Sequence, residues 1–234
     1  MDKIKIIMGL IYLVILSIFF YFLFHNFNFE DISSIKVIQS NKDQLSTLKE
    51  NNLILLILIF FLITVLWVVL LGFGSPIALI GGFIFGKWIG TIVVTSSLSI
   101  GALCLYIFAK YFLYDFLKEN LFTKFKNLNL MFQKKELLVM VIFRFVGLVP
   151  FFLANLLPVI FNINAKNYLL GTIIGIMPAI FIMVSLGSGI NEAIYSFEEF
   201  PSLLSLIFLP EIYFPIIGFS FILILSIILK KKFK

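Results

Sequence analysis

The chain is 234 residues long, 62% hydrophobic and 13% charged, with a mean hydropathy of +1.14. Apolar sequence in runs this long excludes a soluble globular domain and requires an all-α polytopic membrane protein. A formal charge of +6 would suggest nucleic acid in a soluble chain, but here most basic residues lie in the loops and the tail between apolar runs, where they orient the chain; no nucleic-acid partner is expected.

Asp2, Lys3 and Lys5 precede the run Ile4 to Phe24, which is long for a signal-peptide core and has no small-residue cleavage site after it. It reads as a retained first transmembrane helix. The polar segment from Asn26 to Asn52 follows, either a surface helix or a loop. Leu53 to Leu71 is apolar throughout. Breakers then cluster at membrane depth: Gly72, Gly74 and Pro76, then Gly81, Gly82 and Gly86. Trp88 to Ala109 is the next apolar run, with Ser96, Ser97, Ser99 and Gly101, residues that let helices approach closely. Lys87 and Lys110 flank it as snorkelling side chains.

The Lys110 to Glu136 segment is the long basic loop. Leu137 to Ile163 holds Arg144, the only arginine among 18 basic residues, with a break at Pro150 and a second proline, Pro158. A guanidinium cannot shed its charge and costs about 2.5–3.5 kcal/mol at the centre of a bilayer on insertion scales. Pro150 lacks an amide hydrogen, and backbone broken at that depth survives only when buried in protein or lining a wet cavity. Charge and break together mark the tip of a re-entrant hairpin facing a polar cavity. Asn162 to Asn167 is a polar turn containing Lys166, and Tyr168 to Leu186 is apolar with Gly175 and Pro178. Gly187 to Pro201 carries glutamates and no lysine or arginine, so it is expected outside. Ser202 to Leu229, interrupted by Pro210-Glu211 and Pro215, is the last run before a lysine tail.

Parity sets the topology. With Lys3 and Lys5 inside, residues 26–52 lie outside, while the basic 110–136 loop belongs inside, so residues 53–109 cross an odd number of times. Leu53 to Gly86 is therefore expected as a hairpin entering from outside, and Leu137 to Ile163 as one entering from the cytoplasm. The fold expected is about four transmembrane helices plus two opposed re-entrant hairpins in an inverted repeat, the way many secondary transporters build a midplane site. Gly90-Thr91-Ile92 and Gly171-Thr172-Ile173 echo one another after the two hairpins. The alternative is that Leu53 to Leu71 spans, giving a plain helical bundle. Three parts follow: 1–52, a core from 53 to 190, and 191–234. Both termini are expected in the cytoplasm of a cell that holds this chain in its inner membrane.

Chemistry is constrained by what is scarce. One cysteine, Cys104, and one histidine, His25, make no metal-ligand cluster, so no metal and no cofactor is expected. No Gly-rich Lys-Ser/Thr phosphate loop suggests ATP use, and no His, Cys or paired acids at depth suggest an enzyme.

Gly81-Gly82-Phe83-Ile84-Phe85-Gly86 with Gly90, then Arg144, Pro150-Phe151, Asn155, Lys166 with Tyr168, Gly175 with Pro178, and Gly187 resemble the DedA superfamily, in its VTT-domain (SNARE-associated Golgi protein) branch, over about residues 72–190. The resemblance implies opposed re-entrant hairpins and movement of phospholipid or polyprenyl phosphate between leaflets. Gly74-Ser75-Pro76 departs from it where many bacterial members are acidic, as does Val159 where a glycine is usual. Arg144, Asn155 and Lys166 are then the residues expected to bind a lipid head group. Arg144 and Asn155 could equally tie broken backbone, and Glu211 could pair with Arg144 or sit at the outer interface. Gly72, Gly74, Pro76, Gly81, Gly82, Gly86, Pro150, Pro158, Gly175 and Pro178 are read as hairpin architecture. Membrane lipids are the partners expected, a homo-oligomer is compatible with the sequence, and a small-solute or ion transporter or a non-transporting scaffold are the competing functions.

Overall fold

The computed structural model describes residues 42–112, 126–147 and 149–196, with single positions between 9 and 21, at 114 and 119, and between 213 and 221. Most of the expected first and last transmembrane helices, the 26–41 segment, much of the 110–136 loop, residues 197–201, Glu211 and the lysine tail lie outside the described residues.

Every described element is helical: α1 Lys42–Val69, α2 Gly74–Phe85, α3 Lys87–Phe112, α4 Lys126–Lys134, α5 Glu136–Val146, α6 Phe151–Leu156, the 3-10 helix η1 Leu157–Phe161, and α7 Ala165–Ser196. Three of them are long and apolar enough to cross a bilayer, over Asn52–Val69, Lys87–Phe112 and Ala165–Glu192. The shortest has 18 residues, about 27 Å of helix. In hydrocarbon a helix is the one open-ended structure that pairs its own backbone, so runs of this length become helices. The chain is an all-α membrane protein.

α3 and α7 form an antiparallel central pair. Tyr106 of α3 stacks on Tyr168 at the start of α7, with ring centroids 4.3 Å apart. At the other end, a Cβ on Gly90 would come within 3.0 Å of the Val184 side chain. α1 and α2 fold back on each other as one hairpin, with Phe60 edge-on to Phe85 at 5.2 Å. Its limbs begin and end at the Lys87 end of α3. Its tip reaches the middle of that helix, where a Cβ on Gly101 would lie 2.8 Å from Val68. α5 with α6 and η1 makes the second hairpin, based at the opposite end. There the Glu136 carboxylate accepts from the Asn164 amide at 2.9 Å and from Asn167 Nδ2, closing the base against the start of α7.

Each hairpin packs its long limb on its own half, α1 on α3 and α5 on α7, and its short limb on the other half, α2 on α7 and α6 on α3. The Gly-Thr-Ile echo has a structural counterpart. Thr91 Oγ1 donates to Lys87 O at 2.5 Å and Thr172 Oγ1 to Tyr168 O at 2.7 Å, each one turn back along its helix.

Three expectations change in detail. Gly81 and Gly82 do not break the chain; they lie inside α2, because a residue without a Cβ lets α2 touch α7. A Cβ on Gly82 would sit 1.9 Å from Val184 O, and one on Gly187 would sit 2.0 Å from Leu79 O. The segment from Gly187 to Ser196, read as loop, continues α7. That turn of helix is held to α2 through Gly187 and through Asn191 Nδ2, which donates to Phe83 O at 2.6 Å. The polar turn is likewise shorter than read. Asn162 takes a left-handed conformation (φ 54), and Asn164 Oδ1 accepts the Lys166 amide at 2.9 Å, capping a helix that has already begun at Ala165.

Candidate functional site

α5 stops because Gly147 adopts a left-handed conformation (φ 59), the usual glycine cap of a helix end. Pro150 then opens α6, where its missing amide hydrogen costs nothing. Arg144 therefore falls in the last turn of α5, at the level of the hairpin tip. Two glycines one turn apart on α7 draw it in. A Cβ on Gly171 would lie 2.6 Å from Met140 Cγ, and one on Gly175 would lie 2.5 Å from Arg144 Cβ and 2.7 Å from Val141 O. A side chain at Gly175 would therefore displace Arg144 from its seat against α7.

The guanidinium, 6% exposed, is gripped from three sides. Nε donates to Thr172 Oγ1 at 3.2 Å, Nη1 to Asn155 Oδ1 at 2.8 Å and Nη2 to the Tyr168 hydroxyl at 2.6 Å. The Tyr168 hydrogen is shared between Ala102 O at 3.2 Å and Asn155 O at 3.3 Å, which links α3, α6 and α7 through one hydroxyl. The rings of Tyr168 and Phe151 face the cation at 5.2 and 5.9 Å. All these partners are neutral, and among the described residues no carboxylate touches Arg144. A guanidinium has five N–H donors, so three engaged donors leave two without a partner among the described residues. Asn155, completely buried, contributes two more: its Nδ2 has no partner among the described residues.

Arg144 also lines a cavity of about 560 Å³ where the two hairpin tips meet. Gly74 and Ser75 enter from the first hairpin, Gly147, Val149, Pro150 and Phe151 from the second, and Ile176, Ala179, Ile180 and Met183 from the middle of α7. Among the described residues the wall's side chains are apolar except at Arg144 and Ser75, and the cavity is partly open.

Of the residues expected to bind a head group, Arg144 and Asn155 are brought together. Lys166 is exposed in the first turn of α7, ten residues and so about 15 Å of helix before the nearest cavity residue of α7, Ile176. Of the architectural set, Gly74 and Pro150 border the cavity, and Pro76 lies in the first turn of α2. Gly72 lies under the Trp67 ring, which a Cβ there would overlap, while Trp67 Nε1 donates to Phe73 O at 2.9 Å. Gly86 turns the chain between α2 and α3 with φ 76, Pro158 starts the 3-10 turn, and Pro178 sits inside α7.

Sequence reasoning missed Thr172 and Tyr168 as partners of the arginine. Their signal was a hydroxyl pair four residues apart, hence on one face of a helix otherwise apolar at that depth.

A search of curated proteins finds no match to the chain, and a search of solved structures finds none. A family model does match: the VTT domain, over residues 72–189. That span starts at the tip of the first hairpin, holds every described residue of the cavity and ends in α7, so the described part of the chain that builds the site is the part that carries the likeness. The chain belongs to the VTT-domain family, the DedA/SNARE-associated Golgi protein family of membrane proteins.

Proposed function

We propose that this protein moves lipids between the leaflets of the cell membrane without ATP, the head group passing through the cavity between the hairpin tips while the acyl tails stay in the bilayer. The observation that carries this reading is Arg144 on the cavity wall with, among the described residues, only neutral partners and two N–H groups not engaged. A planar fork of donors suits phosphate oxygens, and a buried cation without a counter-ion is stabilised by an anion that brings one. Lys166, at the base of the second hairpin, serves as an outlying attractor for the same head groups. In liposomes containing the purified protein, dithionite is expected to quench fluorescent phospholipid in both leaflets. Quenching of the outer leaflet alone would leave a solute transporter or a scaffold.

The reading places both hairpins re-entrant, the first from outside and the second from the cytoplasm, with both termini cytoplasmic and membrane lipids as the partners. On a Cys104→Ser background, cysteines at Ser46 and Ser196 should react with an impermeant maleimide in whole cells. A cysteine at Asn127 should stay unlabelled, and its labelling alone would overturn the two-hairpin topology.

Movement is expected to be passive. Proton coupling needs a carboxyl or a histidine at depth that changes charge as the site switches sides, and among the described residues no Asp, Glu or His lines the cavity. Initial rate and final leaflet distribution should be unchanged by an imposed pH gradient, and Glu211→Gln should retain activity. Accumulation against a lipid gradient that collapses with a protonophore would refute passive transport.

A further inference from the structure

We infer that Tyr12, in the first apolar run, is a positioning residue for the cavity: its hydroxyl holds the tip of the first hairpin, and through it the stretch of wall that Gly74 and Ser75 form. Tyr12 and the carbonyl it meets, Val69 O, both precede residue 72, where the match to the VTT domain begins. The family likeness therefore does not supply this contact. Its effect on lipid movement rests on the reading of the cavity as a lipid path, while its effect on the tip stands apart from that reading.

A helix that ends at membrane depth leaves its last four carbonyls without a continuing turn to pair them, and in hydrocarbon each has to find a donor. At the end of α1 three of the four are served from within the tip. Leu66 O accepts from the Leu70 amide at 3.0 Å, Trp67 O from the Gly72 amide at 2.9 Å and Val68 O from the Leu71 amide at 3.0 Å. The fourth, Val69 O, accepts from the Tyr12 hydroxyl at 2.6 Å. The turn itself is not one the chain prefers. Leu71 takes a left-handed conformation (φ 63), which a side chain disfavours, so the tip is kept in place by its bonds.

The ring of Tyr12 supplies the fixed end. It lies against Phe108 of α3 with centroids 4.8 Å apart, and Phe108 lies against Phe112, also at 4.8 Å. With its ring on α3 and its hydroxyl on α1, Tyr12 ties the tip to the central helix pair. Gly74 and Ser75 follow directly after this turn and line the cavity that Arg144 also lines. Loss of the hydroxyl takes a donor from Val69 O and frees the tip to move relative to the rest of the wall.

The test places two spin labels on the full-length protein in a Cys104→Ser background, at Ser75 on the tip and at Gln133, which is exposed on α4. The pair Gln133 and Ile190, the latter exposed on α7, is the control. Tyr12→Phe keeps the ring and removes the hydroxyl. It is expected to raise the fraction of molecules with a displaced Ser75–Gln133 distance about two- to tenfold, the effect of one hydrogen bond, and to leave the control distance unchanged. Without labels, the same variant should move fluorescent phospholipid about two- to tenfold more slowly per folded protein. An unchanged Ser75–Gln133 distance would overturn the inference, and so would a change in both pairs, which marks general loosening. A displaced tip with lipid movement at the wild-type rate would overturn the part of Tyr12 in the site. A displaced tip in a protein whose wild type moves no lipid would overturn the lipid-path reading and leave the positioning of the tip standing. Should Tyr12→Phe fail to fold, Phe108→Leu removes the ring beneath Tyr12 and is expected to displace the same pair alone; an unchanged distance there would overturn the inference equally.

Discussion

Arg144→Ala, reconstituted in liposomes, is expected to move fluorescent phospholipid no faster than protein-free vesicles do, and Arg144→Lys at about a tenth of the wild-type rate or less. The reason lies in the geometry of the fork. Nε, Nη1 and Nη2 point to Thr172 on α7, Asn155 on α6 and Tyr168 on α7. A planar guanidinium reaches all three and keeps two N–H groups that no described residue engages. An ammonium is a point donor on a flexible stem, keeping the charge while losing the simultaneous reach. Alanine removes the charge and leaves Asn155 Oδ1 without a donor inside a buried site, which costs about 1–3 kcal/mol. Size-exclusion behaviour and thermal unfolding must therefore accompany the transport assay. The lysine variant separates the two roles of Arg144, because it keeps a cation to hold the tip together and loses the fork that meets phosphate. A well-folded Arg144→Ala protein with the wild-type rate would leave Arg144 as a structural tie alone.

The second large effect is expected at a position with no polar group. Gly82→Ala places a Cβ 1.9 Å from Val184 O, a backbone atom that cannot swing aside, so α2 must withdraw from α7 by more than about 1 Å to reach an ordinary contact distance. Overpacking of this kind costs about 1–3 kcal/mol and sometimes more, and a drop of about 5–10 °C in apparent Tm is expected. Gly187→Ala should do the same, since its Cβ would meet Leu79 O at 2.0 Å. The double variant should be scarcely worse than either single one, because one separation of α2 from α7 relieves both contacts. Gly74→Ala is the control: its Cβ would lie 3.6 Å from Leu98 and 3.8 Å from Phe151, ordinary contacts, so stability should hold. Additive losses in the double variant, or a stable Gly82→Ala, would mean that the α2–α7 approach is looser than its geometry.

Much of the architecture was legible before any coordinates. Apolar runs from Leu53, Trp88 and Tyr168 had to become helices, because nothing in hydrocarbon satisfies an open backbone otherwise. Pro150 announced the break after Arg144 because a residue without an amide hydrogen cannot continue a helix there. A lone arginine in such a run had to face something polar, so Arg144 was identifiable from cost alone, whereas Asn155 was singled out by the family resemblance.

What the one-dimensional pattern left undecided was which faces meet. Gly82 read as a breaker and proved to be a contact, and the stretch from Gly187 to Ser196 read as loop and proved to be helix. In both cases long-range approach of α2 to α7 overrides local composition. Lys166 stood beside Asn155 among the residues expected to bind a head group and lies about 15 Å of helix from the cavity, whereas Thr172 and Tyr168, which are neutral, hold the guanidinium. By itself the sequence determined the helices, the breaks and the presence of one costly charge, since each is a local matter of transfer energy and backbone pairing. The partners of that charge, and the meeting of two hairpin tips around it, were decided only by tertiary structure, because they depend on how closely glycine faces far apart in the chain allow helices to pack.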